Sequence, residues 1–282
     1  ITRWDVSEWS YPLGAELQDF QPRKMVPDRK LLKLISRHDV TGLKAASMAI
    51  EHSQMIQYRE TLTNEKAFND RTGIYVGSPG NKFSQQYEFM PLLAKSKGQL
   101  PEFAKHLFDE VHPMWLLKIL PNNVLGHTGI QYRFKGANQN VTNHIVGGMQ
   151  AIIEASNAIA LGQIDRAVVV AYDIGLEPQS LLYYSGLGVL SANGLKPFDQ
   201  NRDGTIMGEG AAAIILENKQ AAIDREATIY GEILSGASTC EAKGIFAVRP
   251  DGDGISRAMR QALDKAKLSP SDVGMICVHA NG

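Results

Sequence analysis

Apolar and polar positions along the chain follow two periods, one typical of helices and one typical of strands. Residues 1–35 are mixed and punctuated by proline, which predicts loops with short strands. Apolar residues between His38 and Gln57 recur at helical spacing and predict an amphipathic helix. The run Thr72–Gly77 (TGIYVG) ends in a Ser-Pro-Gly-Asn turn and predicts a strand. Residues 82–120 are predicted to be helical, with breaks at three prolines.

The rest of the chain alternates in the same way. Further strands are predicted at Val141–Ile145, Ala167–Ala171, Ala211–Leu216, Ala227–Leu234 and Met275–Val278. Helices are predicted from Gly147 to about Leu161 and over Gly254–Ala266. One side of the first helix carries Met149, Ile152, Ile153, Ser156 and Ile159. Strands that alternate with helices, several of them apolar throughout, indicate a layered α/β fold with mainly parallel strands and covered faces.

Composition narrows the class of protein. Among 282 residues, 29 Lys and Arg balance 30 Asp and Glu, which argues against a dedicated nucleic-acid binder. Cys240 and Cys277 fit neither a disulfide framework nor a zinc pattern, so a reducing cytoplasm is expected. Cys277 is expected to pack inside an apolar strand and Cys240 to lie in a loop. No run of about 18 apolar residues suggests a membrane span.

Neither a metal site nor a cofactor is predicted. Gly208 and Gly210 precede a strand, whereas the glycines of a dinucleotide fingerprint follow one. The chain begins at Ile1 and stops within a pattern, which suggests a fragment or a processed chain.

The predicted strand-to-helix turn before Gly147-Gly148 is the place where chemistry could lie. A cysteine on such a turn has its thiolate stabilised by the helix N-terminus. Small residues after the turn let a substrate carbonyl approach backbone donors. The alternative is that the two glycines only allow close packing of the helix on the sheet.

Long motifs give this turn a context. Residues 195–216 read LKPFDQNRDGTIMGEGAAAIIL, residues 120–127 read LPNNVLGH, and residues 132–138 read YRFKGAN. The opening ITRWD and the run RPDGDGISRAM at 249–259 belong to the same register. Together these motifs resemble the β-ketoacyl synthase family over the whole chain.

The resemblance implies a thiolase-like, five-layered αβαβα fold that is incomplete at both ends. Residues 1–222 would form the N-terminal half with its insertions, and residues 223–282 would begin the second half. It also implies a dimer built around the strand before the nucleophile, at Asn138, Gln139, Asn140, Val141, Thr142 and Asn143. An acyl tunnel would be lined by Met114, Trp115, Ile119 and Leu120. A structural motif would comprise Asp199, Asp203, Gly204, Gly208, Glu209 and Gly210.

The departure from the family lies at the turn itself. Counted from Gly136, the position of the family's nucleophilic cysteine falls on Ile145, and isoleucine cannot attack a thioester. His279 falls where the family has its first catalytic histidine. The second histidine and the lysine of the family would lie beyond residue 282.

Three functions compete on this basis. The first is a non-condensing, chain-length-factor-type partner of an active ketosynthase in fatty acid or polyketide biosynthesis. The second is an enzyme with an atypical site, either a malonyl-carrier-protein decarboxylase or a condensing acyltransferase. The third is a non-enzymatic acyl-binding or scaffold protein. The expected partners are an acyl carrier protein and either a cysteine-containing ketosynthase, as a heterodimer, or a second copy, as a homodimer.

Overall fold

The structure is a computed structural model that describes residues 1–80, 87–244 and 248–281. The described residues contain five strands, which are β1 Gly14–Ala15, β2 Thr72–Gly77, β3 Asn138–Val141, β4 Arg166–Ile174 and β5 Met207–Glu217. The helices before the middle of the chain are α1 Pro22–Met25, α2 Arg37–His52, α3 Met55–Glu60, α4 Glu65–Asp70, α5 Met90–Ser96, α6 Leu100–Glu110, α7 Trp115–Ile119 and α8 Asn123–Tyr132. The later helices are α9 Gly147–Ala160, α10 Pro178–Gly186, α11 Lys219–Asp224 and α12 Asp253–Ala266.

The five strands form one sheet in the order β1-β5-β4-β2-β3. β2 lies parallel to both β3 and β4, and β1 lies parallel to β5. The β4–β5 pair is antiparallel, with Val169 opposite Ile214. The predicted mainly parallel α/β class is therefore confirmed, with one antiparallel pair added to it.

Two apolar layers cover the sheet. On one face, α2 and α8 bury Val40, Leu43, Ile50 and Val124 against Val76, Val168 and Val170. On the other face, α9 buries Ala151, Ala155 and Ala158 against Tyr75, Ala167 and Val169. β2 and β4 are buried on both sides because helices lie above and below them.

Most of the predicted elements are present, and Thr72–Gly77 has the predicted bounds. The helix predicted over 38–57 is divided between α2 and α3 at Gln54, which has a left-handed backbone (φ 54°). Pro91 and Pro101 begin helices instead of breaking them, because the first turn of a helix needs no N–H from these positions. The part of the predicted helical region at residues 81–86 lies outside the described residues.

The prediction of a strand at Val141–Ile145 is wrong. β3 is the polar segment Asn138–Val141, and a 3₁₀ turn follows at His144–Val146. Among the described strands, β3 pairs with β2 alone and lies at the edge of the sheet, so it needs no apolar pattern. The apolar residues Ile145 and Val146, which suggested a strand, lie in this turn.

The predicted strands at 227–234 and 275–278 are also wrong for the part of the chain that the structure describes. Both segments run irregularly, and Met275 is 85% exposed. A strand exists only through its ladder of backbone hydrogen bonds, and neither segment pairs with a described strand. The apolar composition therefore did not predict the irregular conformation of these two segments.

Burial on β5 also differs from the prediction, and burial on α9 falls on small residues. α9 buries its glycine and alanine side, while Met149 is exposed. β5 was expected to be buried on both faces, yet its residues alternate, with Ile214 exposed. The small residues of α9 lie inward because the helix lies too close to the sheet for larger side chains.

This close approach depends on two glycines, Gly77 and Gly148. A Cβ atom added to Gly77 of β2 would lie 2.6 Å from the backbone nitrogen of Gly148 and 2.7 Å from the carbonyl carbon of Gly147. A Cβ atom on Gly148 would lie 2.9 Å from the Cβ of Ala171 on β4. The first turn of α9 therefore rests directly on the ends of β2 and β4. The interpretation that these glycines permit close helix–sheet packing is confirmed for Gly148, whereas a Cβ atom on Gly147 would make only an ordinary 3.4 Å contact with the carbonyl oxygen of Val141.

A buried ion-pair network closes the opposite end of the sheet. Glu217 at the end of β5 accepts from Arg166 Nε at 2.9 Å and from Arg225 Nε at 2.7 Å. Arg225 also donates to the carbonyl of Ser53 at 2.7 Å, and Arg166 stacks on the ring of Phe68. The network joins β4, β5, the residue after α11 and the end of α2.

Replacing Gly77 with alanine is expected to lower the free energy of unfolding by about 1–3 kcal/mol, because the new methyl group meets backbone that cannot move aside. Urea-induced unfolding of both proteins measures the difference. Gly186→Ala is the matched control, because no described atom outside the adjoining backbone of its own helix lies within 4 Å of the Cβ position of this glycine. Its effect is expected to stay within about 1 kcal/mol. Equal stability of the Gly77 variant and the original chain would contradict the packing argument.

Candidate functional site

The turn between β3 and α9, residues 142–148, is the candidate site and is called the elbow below. β3 ends at Val141, the 3₁₀ turn spans His144–Val146, and α9 begins at Gly147. His144 has a left-handed backbone (φ 41°), which turns the chain sharply from strand to helix. Ile145 is 69% exposed at the mouth of this turn. The elbow therefore presents an aliphatic side chain just before a helix N-terminus.

The N-terminus of α9 supplies the electrostatic part of the elbow. The first N–H groups of a helix lack intrahelical partners and carry a partial positive charge. The N-cap residue Val146 makes no side-chain cap, so it does not satisfy these donors. Such a site stabilises an anion or a developing oxyanion. The side chain of Ile145 offers no ionisable group to use this field.

A cleft of about 230 Å³ lies beside the elbow, between α9 and α12. It is lined by Val146, Met149, Gln150, Ile153, Ala237, Ser238, Thr239, Glu241, Gly254, Ile255 and Ala258. Gln150 connects its two walls, because its amide donates to Ser238 Oγ at 3.1 Å and accepts from Asn143 Nδ2 at 3.0 Å. Thr239 Oγ1 donates to the carbonyl of Gly254 at 2.6 Å. The cleft is mainly apolar with a few polar groups, as is typical of a small-molecule site.

The other predicted chemical residues are not gathered at the elbow. His279 is exposed and makes no hydrogen bond or ion pair with the described residues. Cys240 is exposed in an irregular segment, as predicted. Cys277 is exposed as well, so the expectation that it packs inside a strand is wrong; its segment has no described strand to pair with.

Glu209 of the MGEG motif has a fully buried carboxylate. It accepts from Arg3 at 2.6 Å, from Arg37 at 2.9 Å and from the backbone N–H of Leu17 at 3.0 Å. Arg37 also stacks on the ring of Phe20 at 3.8 Å. The carboxylate therefore ties the N-terminal segment to β5 and to the start of α2.

The preceding motif residues form a turn. Asp203 accepts from Asn193 Nδ2 and from Ser191 Oγ, each at 2.7 Å. These two hydrogen bonds, that of Asn193 first, lower the pKa of Asp203 below its usual 3.8. Gly204 has φ 139°, and an added Cβ would lie 2.7 Å from the carbonyl carbon of Leu190. Asp199 Oδ1 accepts from the N–H of Asn201 at 2.7 Å.

The two glycines around Glu209 differ in their surroundings. A Cβ on Gly208 would make an ordinary 3.6 Å contact with Ala15, and a Cβ on Gly210 would meet nothing within 4 Å. Among the described residues there is therefore room for a Cβ atom at both positions, so steric packing does not require glycine at either one.

The predicted tunnel segment lies on and around α7. Met114, Trp115, Ile119 and Leu120 are all half-buried. The Trp115 ring packs edge-on against Phe89, with centroids 4.5 Å apart. α7 buries none of its five residues completely, so core packing alone does not fix its position.

The predicted dimer strand is the exposed edge of the sheet. Asn138 and Gln139 of β3 are exposed, while Asn140 and Val141 are half-buried. Asn140 Nδ2 donates to Ser78 Oγ at 3.1 Å. Thr142 and Asn143 are exposed and lie beyond the strand, which is shorter than the predicted dimer segment.

Several residues that organise the site were missed from the sequence. Gly77 was not connected with Gly147, and Arg3 and Arg37 were not connected with Glu209. A local signal was present for Asp39, because Ser36 and Asp39 have the spacing of a capping box, which the structure contains. Among the described residues, no group of three His, Cys, Asp or Glu side chains could hold a metal ion. No described helix is long and apolar enough to cross a bilayer.

Comparison with known families agrees with this geometry. Residues 13–222 match the β-ketoacyl synthase N-terminal domain, and residues 230–282 match the β-ketoacyl synthase C-terminal domain. The chain belongs to the β-ketoacyl synthase family. Its fold is accordingly thiolase-like, as the sequence motifs predicted.

Individual proteins resemble the chain in sequence or in fold. A 3-oxoacyl-[acyl-carrier-protein] synthase 2 from Staphylococcus aureus is 28% identical over 99% of this chain. The ishigamide ketosynthase/chain length factor superimposes with a TM-score of 0.77 at 23% identity, over 97% of this chain and 63% of that one. A type II polyketide synthase acyl-carrier protein in complex with its ketosynthase gives 0.72 at 22% identity, over 96% and 63%. The chain spans 66% of the length of the Staphylococcus aureus protein.

A cysteine placed at the elbow is expected to be reactive. In the Ile145→Cys variant the new thiol lies just before the N-terminus of α9, which should lower its pKa below the ordinary value of about 8.5. The pH dependence of alkylation by iodoacetamide, followed by peptide mass spectrometry, measures this pKa. Cys240 and Cys277 serve as exposed references in the same molecule.

The matched control for this variant is Leu161→Cys. Leu161 is 73% exposed and lies at the other end of α9, where the helix field disfavours a thiolate. The thiol introduced at position 145 is expected to react at lower pH than the thiol introduced at position 161. Identical pH profiles for the two thiols would show that the elbow provides no anion stabilisation.

Proposed function

We propose that the chain is the non-condensing, chain-length-factor-type partner of an active β-ketoacyl synthase subunit in fatty acid or polyketide biosynthesis. The observation that supports this most directly is Ile145, exposed at the elbow where a condensing enzyme needs a nucleophile. Condensation requires a thiolate that holds the growing acyl chain, and neither Cys240 nor Cys277 belongs to the elbow. The fold is otherwise that of a family member.

The exposed edge of β3 supports the partnership. An edge strand carries unpaired N–H and C=O groups that can pair with a strand of another chain. The partner in this proposal is a cysteine-containing ketosynthase, joined through Asn138–Asn143, with a second copy of this chain as the homodimeric alternative. The dimer would place the elbows of both subunits near their shared strands.

An exposed basic cluster supports docking of an acyl carrier protein. The names of a relative and of a similar solved structure both mention this protein. The cluster consists of Arg23, Lys24, Arg29, Lys30 and Lys33. None of the five forms an ion pair with another described residue, and Asp28 is the one acid between them. Unpaired cations on one short stretch attract an acidic partner through long-range electrostatics.

A second candidate function is that of a condensing acyltransferase with an atypical site, because the relatives are named as 3-oxoacyl-[acyl-carrier-protein] synthases. Such an enzyme would require a nucleophile other than residue 145. The acylation experiment below distinguishes the two candidates.

The chain is expected to form no acyl-enzyme, because Ile145 has no nucleophilic atom. Intact mass measurement after incubation with an acyl carrier protein that bears an octanoyl thioester tests this. A cysteine-containing ketosynthase is the positive control, and formation of a complex between it and this chain is measured in the same experiment. A stable adduct within residues 143–146 would refute the proposal. An adduct on Cys240 or Cys277 would favour the atypical enzyme.

The half-buried residues around α7 are expected to limit the length of the acyl chain. Trp115→Ala or Leu120→Ala should lengthen the products of the assembled complex, because each substitution removes apolar volume from the wall. Leu116→Ala is the control, since Leu116 lies on the same helix and is 61% exposed. Loss of folding without longer products would indicate an ordinary core role, with a cost of about 2–5 kcal/mol.

Reversing charge in the basic cluster should weaken carrier docking. Lys30→Glu with Lys33→Glu is expected to raise the Kd for an acyl carrier protein by at least about tenfold at low salt, and less at high salt. Surface plasmon resonance measures both conditions. Lys105→Glu is a suitable control, because Lys105 is also exposed but lies on α6. If the Lys30/Lys33 variant and the Lys105 variant change the Kd equally, the basic cluster is not part of the docking surface.

A further inference from the structure

A buried polar link connects the start of α2 with the segment around α7. One carboxylate oxygen of Asp39, Oδ2, accepts from Ser36 N at 2.8 Å, from Ser36 Oγ at 2.9 Å and from Asn123 Nδ2 at 3.1 Å. The same Asn123 nitrogen donates to the carbonyl of Leu117 at 2.9 Å. Asp39 and Asn123 are both buried.

Capping of α2 accounts for only part of this arrangement. The capping box is complete with Ser36 and Asp39 alone. Asn123 is 84 residues away in sequence, and a helix cap does not need it. Its amide uses both N–H groups, one towards Asp39 and one towards Leu117. α2 is packed into the core, whereas α7 has no buried residue. The hydrogen bonds through Asn123 therefore connect α7 to a helix whose position is fixed.

α7 needs such an anchor. A helix of five residues is too short to be stable alone, and this one has no fully buried side chain. A second anchor holds the following turn, where Tyr172 Oη donates to the carbonyl of Pro121 at 3.3 Å. Burial, with Asp39 as the next cause, raises the pKa of Tyr172 well above 10, so its hydroxyl keeps the proton that it donates. The segment is thus held at Leu117 and at Pro121 by polar groups of the core.

We propose that Asp39 is a positioning residue that acts through Asn123 to hold Met114–Leu120 in place. Where this segment lines an acyl cavity, the Asp39–Asn123 link sets the depth of that cavity and hence the chain length. This last consequence rests on the proposed function. The positioning itself does not.

Hydrogen exchange of this chain tests the positioning. The amides of Leu117 and Lys118 are suitable reporters, because both donate to the carbonyl of Met114. Asn123→Asp keeps the size of the side chain and removes both donors; Asp39→Asn changes the acceptor. Each variant is expected to accelerate exchange at the two reporter amides by at least about tenfold relative to the amides of β4.

Ser36→Ala is the matched control, because it also breaks the capping box of α2 but leaves the Asp39–Asn123 contact in place. Its Tm should fall, while the reporter amides keep their slow exchange. Equal acceleration in Ser36→Ala, or slow exchange in Asn123→Asp, would overturn the proposal, since α7 would then depend on general stability or on other contacts.

Product length in the complex with a cysteine-containing ketosynthase separates this inference from the proposed function. Faster exchange together with a shifted product length supports both. Faster exchange with unchanged product length would support the positioning role of Asp39. It would also show that the segment Met114–Leu120 does not line the acyl tunnel. Absence of any complex would count against the proposed partnership, while the exchange result would still decide the positioning.

Discussion

The contact between Gly77 and the Gly147-Gly148 pair is the constraint on which the elbow depends. Backbone rests directly on backbone there, and the missing side chains of Gly77 and Gly148 let α9 approach the ends of β2 and β4. That approach fixes where the helix N-terminus lies, and with it the position of residue 145. It also dictates that α9 buries alanines, because larger side chains would lift the helix off the sheet.

Buried carboxylates perform a related task at longer range. Glu209 holds the N-terminal segment, Glu217 closes the far end of the sheet, and Asp39 reaches α7 through Asn123. Each carboxylate is satisfied by two or more donors, so its desolvation is offset by hydrogen bonds. Segments with little apolar burial of their own are thus fixed to the core by polar contacts.

Sequence patterns predicted the strands that are buried on both faces. They missed features that depend on pairing with a neighbouring strand or on contacts with residues distant in sequence. β2 and β4 were predicted because strands covered on both faces are apolar throughout. β3 was misplaced because an edge strand can be polar, and the MICV segment was misjudged because a strand requires a neighbour to pair with. The motif resemblance singled out Glu209, but it did not predict the contacts with Arg3 and Arg37, because these residues are distant in sequence and leave no periodic signal.

The elbow shows why fold and chemistry can separate in this family. Its geometry depends on glycines and on the left-handed turn at His144, all of which are backbone properties. The side chain of residue 145 projects into solvent and contributes little to that geometry. The identity of the residue at this position can therefore change without cost to the sheet, the edge strand or the basic cluster. The edge strand and the basic cluster, which are the proposed assembly surfaces, are present on a chain whose elbow carries isoleucine, and this combination is what the proposed non-condensing subunit would need.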